Sequence, residues 1–132
     1  MDAPEIVVSA VVVRDEQGHV LVVRKRGTSR FMLPGGKPEV GEDAAATAVR
    51  EFGEELGVEL EPADLRGLGE FVAAAANEAG HTVRGAVFEH PYIEVDGPQA
   101  EIAELRWLDP QELPDHDTLA PLFLTVLAAL RS

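Results

Sequence analysis

Five charged residues carry the strongest chemical signal in this chain. They are Glu42, Arg50, Glu51, Glu54 and Glu55, all within Gly36–Val58 (GKPEVGEDAAATAVREFGEELGV). The last three carboxylates fall within five positions of one another. On a solvated helix, like charges four apart cost a few tenths of a kcal/mol. A divalent cation removes that cost, because Mg²⁺ and its relatives take oxygen ligands. The spacing therefore points to a helix that offers carboxylates to a metal ion. An ordinary reading stands beside this for three members. Arg50–Glu54 is also a common i,i+4 helix pair, and Glu42 is also a carboxylate suited to a helix start.

The elements around the stretch must position it. A helix is predicted from about Asp43 to Leu56, stopping at Gly57 as a C-cap. Ala45, Val49, Phe52 and Leu56 form one apolar stripe, which would dock the helix. Glu51, Glu54 and Glu55 would then form a separate stripe, well away from that apolar face. Gly53 sits in the helix interior at a cost of roughly 1 kcal/mol relative to Ala.

Before the helix, Ile6–Val13 reads as a strand buried on both faces. A turn follows at Asp15–His19, with Gly18 as its positive-φ residue. Val20–Arg26 reads as the returning strand of a hairpin. It ends in Arg24, Lys25 and Arg26, in a chain with only 11 lysines and arginines. The cluster is either an edge-strand charge guard or a phosphate contact. Alternation puts Arg24 and Arg26 on one face. Phe31–Leu33 is a candidate short strand. Pro34-Gly35-Gly36-Lys37 lacks the spacing of a phosphate-loop motif.

After the helix, Val58–Leu60 is a further short-strand candidate. Leu68–Ala76 and Thr82–Glu89 read as strands joined by a hairpin turn at Asn77–His81. The small residues of the first leave room above the sheet for a ligand, or else form a tight small-residue layer. Ala103–Leu108 reads as the last strand, with Asp109 a candidate cap for a short segment after it. Leu119–Leu130 is apolar at helical spacing and reads as a second helix packed on the sheet.

The chain has 132 residues, a formal charge of −13, 45% hydrophobic residues and no cysteine. That supports one domain over residues 1–132 with a real core. It excludes disulfides, thiolate metal sites and a thiol nucleophile, and it fits a reducing cytoplasm. The acidity disfavours a nucleic-acid polymer as partner. MDAPEIVVSAVVV carries no positive charge before its short apolar run, so it reads as neither signal peptide nor membrane span. The element pattern implies an α+β fold with a mixed sheet between helices, an α/β/α sandwich.

The central stretch resembles the Nudix box, G-x5-E-x7-R-E-U-x-E-E-x-G-U, where U is a bulky aliphatic residue. Gly36, Glu42, Arg50, Glu51, Glu54, Glu55 and Gly57 meet every fixed position, and Val58 the last aliphatic one. Phe52 departs by standing where an aliphatic residue is usual, and it remains apolar. The resemblance implies the Nudix fold and metal-dependent hydrolysis of a nucleoside diphosphate linked to another group, with Mg²⁺ or Mn²⁺. It implies that Glu54 and Glu55 ligate metal. Glu51 would be a further ligand or the base that orients water. Arg50 would hold a box glutamate, Glu42 would support, and the peptide at Gly36 would lend a carbonyl. Hydrolysing a pyrophosphate link needs neutralised phosphoryl oxygens and a directed water, which metal ions supply.

Many Nudix enzymes take one more carboxylate from outside the box. Glu101 is the first choice here, Glu104 the second, with Glu70 and Glu89 behind them. His19, His81, His90 and His116 show no ligand spacing, and His116 stays open as a loop base. Two Nudix subfamilies carry a marker residue after the box: a tyrosine for diadenosine polyphosphates and a proline for ADP-ribose. Phe71–Asn77 carries neither. What remains resembles the small MutT-type enzymes, which cleave a (deoxy)nucleoside triphosphate to monophosphate and pyrophosphate. Phe31, Asp115 and Asp117 are then candidates to bind the base. The alternatives are an ADP-ribose or other nucleotide-sugar pyrophosphatase, and a non-catalytic nucleotide-sensing module. The expected partner is a small nucleotide, with no polymer and no membrane, and the chain acts as a monomer or homodimer.

Overall fold

Period-two alternation on the first two strands sorts the core into two layers. Strand β1 (Glu5–Val13) and strand β2 (Val20–Lys25) bury Ala10, Val12, Val20 and Val22 on one face and Val11, Val13, Leu21 and Val23 on the other. The first set packs with Phe123, Val126 and Leu127 of helix α2 (Pro121–Arg131). The second packs with Ala48, Phe52 and Leu56 of helix α1 (Ala44–Leu56). Residues buried on both sides of a strand need a cover on both sides, and the two helices provide it. This is the α+β sandwich expected, with strands between helices. The computed structural model describes residues 4–131.

The remaining strands are β3 (Gly35–Gly36), β4 (Arg66–Ala74), β5 (Thr82–His90) and β6 (Ile102–Leu108). Four strands form one sheet in the order β3-β1-β5-β4, and β2 pairs with β6 in a second sheet. β1 runs parallel to β5 and antiparallel to β3, so the larger sheet is mixed. The hairpin between β4 and β5 is antiparallel, with Ala74 opposite Thr82, as the Asn77–His81 turn suggests. No helix among the described residues is long and apolar enough to cross a membrane.

Several local expectations are corrected. β1 and β2 do not form a hairpin. They share one bridge, Arg14 to Val20, and then enter different sheets. The reason is competition for the β1 edge. Pro34 accepts from the Val11 N–H at 3.0 Å, and Gly35 and Gly36 pair with Ala10 and Ser9. β1 is buried on both faces only from Ser9 onward. Phe31–Leu33 is not a regular strand. Its backbone makes isolated bridges, Met32 to Val23 and Phe31 to Leu119. Val58–Leu60 is irregular, and Arg26 lies beyond the end of β2.

The docking stripe of α1 also differs. Ala48, Phe52 and Leu56 are fully buried, while Ala45 and Val49 are only partly so. Glu55 falls on the buried side of the helix and is 1% exposed. The three carboxylates therefore do not form one solvent-facing stripe. At about 100° per residue, Glu55 lies within about 60° of Phe52, three positions before it, on the helix surface.

Candidate active site

Helix α1 begins and ends as its sequence dictates. The Asp43 carboxylate accepts from the Ala46 N–H at 2.8 Å, capping the N-terminus. Gly57 takes φ 75° and donates its N–H to the Gly53 carbonyl at 2.9 Å. That left-handed residue costs little only as glycine.

The helix is tied to the β3 loop by carboxylates. Glu55 Oε1 accepts from the Gly35 N–H at 3.0 Å. Its other oxygen, Oε2, is buried and has no hydrogen-bond partner. Burial pushes the Glu55 carboxyl up to about 8, against the Gly35 hydrogen bond and with the help of the Glu51 charge. Glycine is needed at both positions of β3 for different reasons. A Cβ on Gly35 would lie 2.0 Å from the Ser9 carbonyl oxygen, and one on Gly36 would lie 2.4 Å from Glu51 Cδ. Gly35 lets the loop backbone lie against β1, and Gly36 leaves room for the Glu51 carboxylate.

Arg50 organises the outer half of the cluster. It holds Glu42 through two bonds, Nε to Oε2 at 2.7 Å and Nη2 to Oε1 at 3.0 Å. Nη1 donates to Glu51 Oε1 at 2.8 Å and lies 3.4 Å from Glu54 Oε1. Nη2 also donates to the Lys37 carbonyl at 2.9 Å. The two-pronged Arg50 contact, with the Glu39 N–H and the Thr47 hydroxyl, holds the Glu42 carboxyl down near about 2 despite some desolvation. Glu42 is thus an anchor for Arg50, and Arg50 orients Glu51. Glu54 is the exposed member, beside Arg50.

A cleft of about 340 Å³ opens beside this cluster. Glu51, Gly35, Gly36, Lys37, Lys25 and Glu101 line one part of it. Ile6, Val8, Val83, Leu122 and Phe123 give it apolar walls, and Ala74–Glu78 complete it. The alanines at the end of β4 do border open space.

The candidates from outside the box separate clearly. Glu101 lines the cleft, 3.5 Å from Lys25 Nζ, and its carbonyl accepts from the Arg26 N–H at 2.7 Å. Glu104 is held by Arg24 at 2.8 Å, Glu70 lies 3.6 Å from Arg84, and Glu89 is clasped by Arg14 and Arg66. Arg24 and Arg26 do not line the cleft. Arg24 is spent on Glu104 and the Thr28 carbonyl, and Arg26 reaches the Ala100 carbonyl. The cation of that cluster that lines the cleft is Lys25. A register shift between Arg24 and Lys25 interrupts the alternation there. The sequence did hold a signal: a face shared by Arg24 and Arg26 leaves Lys25 on the other.

The base-binding candidates are not part of the cleft lining. Phe31 is buried in the α2 layer, with the Arg106 guanidinium 4.6 Å over its ring. Asp115 and Asp117 are exposed at the short 3₁₀ turn His116–Thr118. His116 is exposed there too, and His90 is buried, accepting the Glu61 N–H at 3.2 Å. Lys37, Asn77 and Glu78 line the cleft although sequence reasoning gave them no role.

The donors fit a hard divalent cation. They are carboxylate oxygens and backbone carbonyls, and one buried carboxylate oxygen lacks a partner. Among the described residues, no three His, Asp or Glu side chains converge as a closed ligand set. Arg50 draws Glu51 and Glu54 toward itself instead.

Comparison with known proteins bears on the family and the fold. The NUDIX domain profile matches residues 4–128. A candidate 8-oxo-dGTP diphosphatase of Bacillus subtilis (strain 168) is 31% identical over 104 residues, covering 79% of this chain and 66% of that protein. A MutT-like protein of Streptomyces ambofaciens is 31% identical over 112 residues, covering 82% of this chain and 66% of its own length. The chain thus spans just under two thirds of both relatives. The crystal structure of a MutT protein from Methanosarcina mazei Go1 superposes with a TM-score of 0.75 at 23% identity, covering 98% of this chain and 94% of that one.

Proposed function

The chain belongs to the Nudix family, and we propose that it hydrolyses the pyrophosphate link of a nucleoside diphosphate joined to a further group. The substrate we favour is a (deoxy)nucleoside triphosphate, cleaved to monophosphate and pyrophosphate. The carrying observation is the Glu55 carboxylate, buried against Gly35 with one oxygen unpartnered. Ionising a buried carboxyl with an unpartnered oxygen is costly, which raises its pKa, and a cation bound beside it offsets that cost. A divalent cation is the partner that suits an oxygen-only site.

Glu51, Glu54 and Glu55 would hold Mg²⁺ or Mn²⁺ together with the carbonyl at Gly36 and, from outside the helix, Glu101. When bound, the cation withdraws charge from the phosphoryl oxygens and acidifies water. The chain's own groups do the rest. Arg50 engages Glu51 Oε1 and leaves Oε2 on the Gly36 side. Where Glu51 serves as the base rather than as a further ligand, its Oε2 accepts the proton of the attacking water. The water oxygen bonds to phosphorus as the anhydride P–O bond breaks and pyrophosphate departs. Lys25 and Lys37 neutralise the phosphates. The acidic chain receives an anion through these cations and the metal, not through its general field.

The test is a panel of nucleotides, including the four deoxynucleoside triphosphates and ADP-ribose, incubated with Mg²⁺ or Mn²⁺. Release of phosphate or pyrophosphate is measured for the parent and for Glu54→Gln. Turnover that requires metal and is lost in the variant is expected. Absence of turnover for every member would sink the reading.

A further inference from the structure

The cleft is longer than the chemistry of its charged end requires. Gly36 and Glu51 stand at the β3 edge of the four-stranded sheet, and Ala74–Glu78 continue from β4 at the opposite edge. Three strand spacings separate those edges, about 14 Å. Between them the cleft is floored by aliphatic side chains, with Ile6 and Val83 paired in register across β1 and β5. A phosphate chain fills only the charged end. The apolar middle suits a flat ring or sugar, and the far rim carries two polar side chains, Asn77 and Glu78.

Asn77 is the neutral amide of the cleft lining. Asn77 is exposed, and among the described residues no protein group is a hydrogen-bonding partner of its side chain. It sits in the β4–β5 turn, whose backbone is closed by Ala75 N–H to His81 carbonyl at 3.0 Å and His81 N–H to Glu78 carbonyl at 3.1 Å. The turn therefore needs no help from the Asn77 side chain. An amide offers a donor and an acceptor side by side, which is what the edge of a nucleobase presents.

We propose that Asn77, on the β4–β5 turn, reads the edge of the nucleobase and sets base preference, while Glu78 beside it accepts from a base N–H. This rests on the nucleotide reading of the site, and it moves base recognition from Asp115 and Asp117 to the opposite edge of the sheet. Asn77→Asp replaces the donor with a second acceptor, so it disfavours bases with a keto group at the contacted position and favours those with an amino group.

Two measurements test it. The first is kcat/KM for the four deoxynucleoside triphosphates in the parent, Asn77→Ala and Asn77→Asp. Asn77→Ala should lower kcat/KM for the preferred base about tenfold through KM, the ratio set by about 1.4 kcal/mol, and leave the least preferred base unchanged. Asn77→Asp should reorder the four bases. A uniform change across all bases, or none, overturns the proposal. The second is an NMR titration of the ¹⁵N-labelled parent with dGMP, dAMP, dCMP and dTMP, following the Asn77 side-chain amide. Base-dependent shifts of that amide support the proposal even if no triphosphate is turned over, in which case only the reaction fails. Turnover with an unmoved Asn77 amide and an unchanged base ranking overturns this proposal alone. No binding by any monophosphate and no turnover overturn both.

Discussion

Glu55 accepts a hydrogen bond from the Gly35 N–H at 3.0 Å and keeps its second oxygen buried without a partner. This one contact joins helix α1 to the strand beside β1, and it places a high-pKa carboxyl against a loop that no side chain could share.

The pH dependence of stability without metal follows from that carboxyl. Its folded value lies near about 8, above the ordinary carboxylate range. Stability from the neutral form is full below the unfolded value and is lost as pH rises toward the folded one. Metal-free protein should weaken between about pH 4.5 and pH 8, with a slope of at most about 1.4 kcal/mol per pH unit. Urea melts in chelator across that window measure it. Glu55→Gln should flatten the slope, and added Mg²⁺ should offset it in the parent only. The same variant should lose most of its metal-dependent turnover, because an amide is a weaker ligand for a divalent cation than a carboxylate. A pH slope unchanged in Glu55→Gln would show that another group is responsible.

Arg50 holds Glu42 and Glu51 at once. Arg50→Ala should reduce kcat more than it raises KM, by roughly 10–100-fold, because Glu51 loses its orientation. Arg50→Lys should recover little, since an ammonium cannot reproduce the planar fork on Glu42. Steady-state kinetics of both variants decide this. Full activity in the lysine variant would mean that charge alone suffices.

Glu42 stays ionised well below the usual carboxylate range because Arg50 grips it. Its depressed value means that it stabilises the fold above the unfolded value and that this is lost as pH falls toward about 2. Glu42→Gln should therefore narrow the difference in melting temperature between pH 5 and pH 3. An identical difference in parent and variant would assign acid sensitivity elsewhere.

Gly36 faces the Glu51 carboxyl at a distance that no Cβ tolerates. Gly36→Ala should push the flexible end of Glu51 aside, with little loss of stability and at least a tenfold loss in kcat. Melting temperature and turnover, measured together, separate loss of fold from loss of geometry. Wild-type kcat would show that Glu51 moves without consequence.

Lys25 lines the cleft and pairs with Glu101 at 3.5 Å. Lys25→Met should raise KM several-fold with a smaller change in kcat, and its effect should shrink as salt rises. Arg24→Met should leave KM near the parent value, because Arg24 is engaged by Glu104. Equal KM effects of the two substitutions would contradict this division of roles.

Much of the architecture is set locally. The helix start near Asp43, the Gly57 stop, the β4–β5 turn and the apolar spacing of α2 depend on short-range spacing, so the sequence alone specifies them. The box residues were legible for the same reason, since one helix carries almost all of them. Tertiary structure decided what depends on competition between distant segments. Pro34–Gly36 takes the β1 edge, so β2 leaves for β6 and the expected hairpin does not form. Glu55 is buried because Gly35 and the core rotate the helix contact toward it, a choice that 3.6-residue periodicity does not resolve. Lys25 lines the cleft while Arg24 and Arg26 do not, because a register shift ends β2 there and Glu104 arrives from β6. Asn77 meets the same cleft as Glu51 only because β4 and β3 occupy opposite edges of one sheet, a juxtaposition that no linear spacing encodes.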